Sequence, residues 1–117
     1  MAQGGSLGDL VNRGEIWEAD VGGKAGTRPV LVLTRSGVIP HLSKVVVAEV
    51  TSQGKGYPTQ VAIGLSGNLK HPSFVSAESL HTLPKERLRR YLGELAPAQL
   101  RQVSQAVIFA LDLVIGD

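Results

Sequence analysis

The chain has 117 residues, of which 43% are apolar, a length that can bury one core and hardly two, so a single globular domain is expected. It contains no cysteine, which excludes disulfides, thiolate catalysis and the usual zinc sites and favours the cytoplasm. Twelve Lys and Arg against ten Asp and Glu leave a net charge of +2, too small to establish a nucleic-acid partner by itself.

The start of the chain is predicted to be a flexible tail over residues 1–12, followed by one domain over residues 13–117. The first six residues lack the charged and apolar blocks of a signal peptide. No apolar run in the sequence reaches membrane-spanning length, so no membrane partner is expected.

Five strands separated by Gly-rich turns are predicted next, because the runs alternate in polarity or are rich in β-branched residues. They cover residues 14–21, 27–34, 44–52, 59–63 and 73–82. Such a series suggests a small barrel or a strongly bent sheet. The basic stretch that follows, with Lys85, Arg87, Arg89 and Arg90, is either a solvated edge that discourages strand pairing or a cluster that attracts phosphates.

The last part of the chain is predicted to be a helix that begins near Pro97. One apolar stripe along this helix should cover the core; it contains Leu100, Val103, Val107, Ala110 or Leu111, and Val114. Ile108, Phe109 and Leu113 lie off this stripe, so the helix is apolar nearly all round between residues 106 and 115. We therefore expect a second copy of the chain to cover the other side.

An arginine near the start of the second predicted strand and a threonine near the end of the third are the most informative pair. If the two strands are antiparallel with Thr34 opposite Val45, the same register sets Arg28 opposite Thr51. Directly opposed residues share a sheet face, with Cβ atoms roughly 5 Å apart. A guanidinium offers a planar fork of donors that matches phosphate oxygens, so the pair points toward nucleic acid. From the residues alone, a surface salt bridge for Arg28 and ordinary strand propensity for Thr51 stay open.

Five blocks of sequence occur in an order typical of one known family. They are Arg-Gly-Glu-Ile-Trp at 13–17, Thr-Arg-Pro-Val-Leu-Val at 27–32, Val-Val-Val at 45–47 leading to Val-Thr-Ser at 50–52, Pro-Ser-Phe-Val at 72–75 with Glu78, and Leu-Gly-Glu-Leu at 92–95. With the closing Ala- and Leu-rich helix, they resemble the MazF/PemK/Kid family of toxin endoribonucleases of type II toxin–antitoxin systems. The resemblance implies a mainly β fold with α: an SH3-like small barrel (MazF/CcdB-like) of about five to seven strands with a C-terminal α-helix.

The resemblance also implies an activity and its partners. Family members are homodimers whose shared groove holds single-stranded RNA, and a cognate antitoxin blocks that groove. They cut mRNA, and in some cases tRNA or rRNA, within short sequence motifs, in the cytoplasm and without a metal or other cofactor. The products carry a 2′,3′-cyclic phosphate and a 5′-hydroxyl.

Residue by residue, the resemblance implies that Arg28 and Thr51 are the catalytic pair. Arg28 would stabilise charge on the phosphate, and Thr51 would donate a hydrogen bond to it. Glu78 is the first candidate for the general base, and an ion pair that orients Arg28 is its alternative. His81 is a second candidate, because imidazole exchanges protons near neutral pH, although a lone His at a strand end is more often a surface residue.

Other polar residues are predicted to bind RNA, and several of them lie on loops expected to flank the same sheet end. The alternative is that each is only a solvated loop charge with no role in binding. They are Lys24, Thr27, Arg35, Ser52, Gln53, Lys55 and His81. His41 and His71 beside prolines are interpreted as loop residues without metal-ligand spacing.

Several features of the chain depart from the family pattern, including a shorter loop between the first two strands and Ser76 where some members use an Arg. Glu49 stands where many members have Pro or Ala, and its charge requires a partner or water. The fifth strand has Glu78-Ser79 where many members have an acidic residue followed by Gln. A catalytically silent relative that only binds RNA or an antitoxin therefore stays open. A CcdB-like toxin that targets DNA gyrase is a further alternative, although the chain ends without the aromatic residue of that group.

Overall fold

A computed structural model describes residues 10–114 as one curved antiparallel sheet with a C-terminal helix. The strands are β1 (Glu15–Asp20), β2 (Thr27–Val32), β3 (Lys44–Thr51), β4 (Gln60–Gly64), β5 (Ser73–Pro84) and β6 (Leu88–Glu94), and the helix is α1 (Pro97–Ala110). Their order across the sheet is β4-β5-β3-β2-β1-β6. The predicted mainly β fold with a C-terminal helix is confirmed. No helix among residues 10–114 is long and apolar enough to cross a membrane.

The central strands are apolar on both faces because each face covers a separate core. The helix-side core lies between the sheet and α1 and includes Ile16, Leu31, Ala48, Val50, Val75 and Val103. The second core lies on the other face and includes Trp17, Val30, Val32, Ile39, Val45 and Val47. Arg28, Glu49 and Thr51 occupy positions of β2 and β3 that continue this second face beyond its apolar part.

The predicted register of β2 and β3 is confirmed. Val30 lies opposite Glu49, and Val32 lies opposite Val47. Continued by two residues, this register sets Arg28 against Thr51, at the end of the ladder where the sheet opens.

The two edges of the sheet meet through a loop, and no strand ladder joins β4 to β6. The Asn68 amide donates to the Leu92 carbonyl oxygen at 2.7 Å. Gly67 has φ 59°, and a Cβ added to it would lie 2.5 Å from that same oxygen. Glycine is therefore required at this junction, which we call the seam. The seam makes the sheet an almost closed barrel.

The ends of several elements differ from expectation. The basic stretch leads into a strand that was not predicted, β6, which pairs with β1 at the edge of the sheet, buries Leu88 and Leu92 and leaves Arg89 and Arg90 exposed. The helix ends at Ala110, and Val114, expected on the buried stripe, lies beyond it with 90% of its surface exposed. Val11, part of the predicted tail, packs in the second core; residues 1–9 of that tail lie outside the described residues, as does Ile115.

Candidate functional site

The Arg28 side chain lies at the start of β2 and contacts the middle of β3. Its Nη1 donates to Glu49 Oε1 at 3.1 Å. The side chain is 36% exposed, whereas its Nε atom is buried and has no hydrogen-bond partner among the described residues. Most of the guanidinium's donors are therefore not used within the described chain.

The other oxygen of Glu49 contacts a histidine on the next strand. Glu49 Oε2 lies 2.5 Å from His81 Nε2. Val47 lies directly opposite His81, so Glu49, two residues along β3, is a diagonal neighbour on the same face. Arg28, Glu49 and His81 thus form one continuous row across β2, β3 and β5, which we call the charged row.

A bulge in β5 lies beside this row. Ala48 pairs with Leu80, but the next residue, Glu49, pairs with Ser76. Residues 77–79 are therefore extra on β5, and a hydrogen bond at 3.2 Å from Ser76 Oγ to Ser79 Oγ spans them. Glu78 lies on this bulge and is exposed, and within residues 10–114 it forms no salt bridge.

Thr51 ends β3, and its hydroxyl oxygen accepts a hydrogen bond from the Gln53 amide at 3.1 Å. This turn fixes the side chain beside the start of the following loop. The hydroxyl proton makes no hydrogen bond within the described chain, so Thr51 can still donate to a ligand.

Two cavities meet at this end of the sheet. The larger is about 440 Å³ and is lined by Arg28, Lys70, His71 and Arg90, together with Glu18, whose carboxylate lies 3.6 Å from Arg90 Nε. The smaller is about 280 Å³ and contains Glu78, Lys55, Tyr57 and Gln60. Arg28, Thr51 and Gln53 line both cavities, so the predicted pair stands where the two join.

The structure gathers most of the predicted site residues, but not all. Ser52 lines the larger cavity, while Gln53, Lys55 and Glu78 line the smaller one.

The remaining predicted residues lie elsewhere. Lys24 and Thr27 are exposed beside the start of β2 but line neither of these two cavities. His81 also lines neither of them and contacts Glu49 instead. The expected position of Arg35 is wrong: it follows β2 and lies at the opposite end of the sheet, in a groove with Lys44 and Leu111. An antiparallel ladder separates the two ends of one strand, so Arg28 and Arg35 cannot flank the same edge.

Sequence reasoning missed the partner of Arg28 and one wall of the larger cavity. The ion pair expected from Glu78 is made by Glu49, which had been identified only as a charge in need of a partner. His71 had been set aside as a loop residue, yet it lines the larger cavity with Lys70 and Arg90. No group of three or more His, Asp or Glu within residues 10–114 could hold a metal ion.

A model of a known protein family matches most of the chain. The family is described as a PemK-like, MazF-like toxin of type II toxin–antitoxin systems, and the match covers residues 12–111.

Individual relatives give the same picture. The chain is 40% identical over 86 residues to Endoribonuclease MazF3 of Mycobacterium tuberculosis, which covers 74% of this chain and 84% of the relative. It is 34% identical over 101 residues to Endoribonuclease MazF1 of Mycobacterium bovis, with 86% of this chain and 92% of the relative covered.

Two solved structures share the fold. The Mycobacterium tuberculosis toxin MazF-mt6 superposes with a TM-score of 0.79 at 36% identity, covering 86% of this chain and 99% of that one. A mycobacterial endoribonuclease in complex with its cognate antitoxin gives a TM-score of 0.80 at 32% identity, covering 91% and 99%.

Proposed function

The chain belongs to the PemK-like, MazF-like family of type II toxin–antitoxin toxins, and we propose that it is an endoribonuclease that cuts single-stranded RNA. The scissile phosphate would lie between the side chains of Arg28 and Thr51. The observation that carries this proposal is the β2–β3 register, which brings a guanidinium with unused donors and a free hydroxyl proton to one sheet end. Both groups suit a phosphate, and both line the cavities that meet there.

The proposed reaction is attack of the ribose 2′-oxygen on the adjacent phosphorus, with departure of the 5′-oxygen. The bond from the 2′-oxygen to phosphorus forms as the bond to the 5′-oxygen breaks, which gives a 2′,3′-cyclic phosphate and a 5′-hydroxyl. Charge builds on the non-bridging oxygens, where Arg28 and Thr51 donate hydrogen bonds. The permanent charge of the guanidinium supplies the electrostatic stabilisation, so we propose that cleavage needs no metal or other cofactor.

We assign the general base to Glu78. Glu49 already forms the ion pair with Arg28, so Glu78 is not required for that role. Its carboxylate is exposed on the bulge and lines the smaller cavity with Arg28 and Thr51. An unpaired carboxylate beside the reacting ribose can accept the 2′-proton.

The two cavities define a path for the RNA strand on either side of the scissile phosphate. Arg28, Lys70 and Arg90 give the larger cavity the cationic groups that attract backbone phosphates. Tyr57 gives the smaller cavity an exposed aromatic ring on which an unpaired base can stack, whereas the Gln60 amide oxygen already accepts a hydrogen bond from the Lys55 amide at 2.7 Å. We therefore place sequence discrimination in the smaller cavity and substrate grip in the larger one. The substrate class is mRNA, tRNA or rRNA in the cytoplasm.

The C-terminal part of α1 is the surface on which we expect a second copy of the chain. Phe109 is 65% exposed, and Leu111 and Leu113, just beyond the helix, are also exposed. Leu111 also lines a groove of about 580 Å³ with Leu33, Val45, Val107 and Ile108, whereas Phe109 faces β4 beside Val61 and Ala62. Phe109→Glu should shift the protein from dimer to monomer in sedimentation at fixed concentration, while Arg101→Glu, on an exposed polar part of the same helix, should not.

A cognate antitoxin is the second proposed partner. It would inhibit by laying an extended acidic segment over the larger cavity, where Lys70, His71 and Arg90 are grouped. A solved relative at 32% identity is described in complex with its cognate antitoxin, which supports this proposal.

The direct test is incubation of the purified protein with a long single-stranded RNA in EDTA, followed by mapping of the fragment ends. Cyclic phosphate at one end and 5′-hydroxyl at the other, within a recurring short motif, is the expected result. Intact RNA would identify a silent relative, and gyrase-dependent DNA breaks would identify the CcdB-like alternative.

A further inference from the structure

We propose that Glu49 and His81 are positioning residues that hold the Arg28 guanidinium for the scissile phosphate. This inference rests on the proposed function for its substrate. It starts from the charged row, in which Glu49 uses one carboxylate oxygen for Arg28 and the other for His81.

Glu49 can fix the orientation of the Arg28 guanidinium because both of its carboxylate oxygens form contacts. Its side chain is only 17% exposed, and its contacts are 3.1 Å to Arg28 and 2.5 Å to His81. A carboxylate bound on one side only could rotate about its terminal torsion, which is broad in acidic side chains. Bound on both sides, it presents a fixed acceptor to the guanidinium.

The contact leaves Nη2 of Arg28 unused within the described chain. Glu49 takes Nη1, so the parallel donors on Nε and Nη2 have no hydrogen-bond partner within residues 10–114. Because Nε is buried, Nη2 is the donor group left to meet a phosphate oxygen. The charged row therefore orients the arginine through Nη1 without using Nη2.

His81 acts through Glu49 and does not act on the substrate directly. In the described part of the chain it lines neither cavity at the site. Its Nε2 is committed to Glu49. A neutral side chain that donates one hydrogen bond in the same place should therefore replace it, which would not hold for a proton carrier.

The test compares His81→Ala with His81→Gln, since the Gln amide can donate to Glu49 and Ala cannot. We expect His81→Ala to lower kcat about tenfold with KM within about threefold of wild type, because a misdirected guanidinium stabilises the transition state less. His81→Gln should stay within about threefold of wild type. The matched control is His41→Ala, which removes an exposed histidine from a turn away from the site and should leave cleavage unchanged.

Two results would overturn the proposal. Equal loss of kcat in folded His81→Gln and His81→Ala would make His81 a proton carrier, and no loss in His81→Ala would leave it without a role. A double-mutant cycle with Glu49→Ala adds a second criterion: the effect of His81→Ala should vanish in that background, and additive effects would contradict action through Glu49.

A measurement without RNA separates this proposal from the proposed function. NMR of the Arg28 side-chain N–H groups in the RNA-free protein should show restricted guanidinium rotation in wild type and His81→Gln, and faster rotation in His81→Ala. If wild type cuts no RNA, the proposed function fails, yet these spectra still decide whether His81 holds Arg28. Identical Arg28 spectra in all three proteins would refute the positioning role.

Discussion

Replacing Arg28 by Ala removes the one permanent cation that both cavities share. A preorganised donor aimed at transition-state charge contributes about 2.7–4 kcal/mol, so kcat should fall about 10²- to 10³-fold. A larger fall in kcat/KM is expected if Arg28 also binds the phosphate before reaction.

The same substitution should change stability little. The lost ion pair is one-third exposed on the Arg28 side, and screening by solvent limits its contribution to about 1 kcal/mol or less. Removing Arg28 also removes the buried Nε that lacks a partner, which relieves about 1–3 kcal/mol of desolvation cost and offsets the loss. The melting temperature should therefore move by no more than about 5 °C.

The assay is single-turnover cleavage of a labelled RNA in EDTA, with thermal melting run in parallel. The control is Arg35→Ala, which removes an arginine of equal charge from the opposite end of the sheet and should cut RNA at the wild-type rate. Cleavage by folded Arg28→Ala within tenfold of wild type would remove Arg28 from the reaction. Equal loss in both variants would show that overall charge matters more than position.

Three further changes test other parts of the site and fold. Thr51→Ala should lower kcat about 10- to 150-fold, because one hydrogen bond to a charged group is worth about 1.5–3 kcal/mol. Thr51→Ser keeps the hydroxyl and should cleave at close to the wild-type rate. Equal kinetics of Thr51→Ala and wild type would exclude the hydroxyl from the reaction. Glu78→Gln should lower kcat by at least about 10²-fold while leaving the affinity for an RNA with a 2′-deoxy scissile ribose unchanged, and full activity would require another base. Gly67→Ala should lower the free energy of unfolding in urea by about 2 kcal/mol more than Gly64→Ala. Both glycines have φ 59°, but only at Gly67 would an added Cβ meet the Leu92 carbonyl oxygen. Equal destabilisation of the two variants would show that the backbone conformation alone accounts for the effect.

The sequence predicts the central sheet well because its strands are strongly patterned. The runs that became β2 and β3 are rich in β-branched residues; the first begins with Thr-Arg-Pro and the second ends in Val-Thr-Ser, so one register satisfies both faces. The β6 strand was not predicted from the sequence because it lies at the edge of the sheet and has a weak apolar pattern. Only Leu88 and Leu92 point inward, and the charged residues between them suit solvent as well as a ladder.

The charged row could not be predicted from the same patterns. It depends on how β5 pairs with β3, and the bulge that shifts this pairing, Ala-Glu-Ser at 77–79, contains no Gly or Pro to signal it. The contact between Glu49 and His81 is therefore a product of tertiary pairing. The wrong prediction for Arg35 has a simpler cause. Arg35 follows β2 whereas Arg28 lies at its start, so the two residues lie at opposite ends of the sheet.

The seam gives this small protein a natural reporter of occupancy. The backbone amide of Asn68 that bridges the two sheet edges belongs to a residue that also lines the larger cavity, as does its acceptor residue Leu92. Opening of the almost closed barrel at the seam breaks this bond, and a bound strand lying in the cavity would hold it shut. Deuterium uptake at this single amide should consequently slow when the groove is filled, which would let binding be followed even in a variant that no longer cuts.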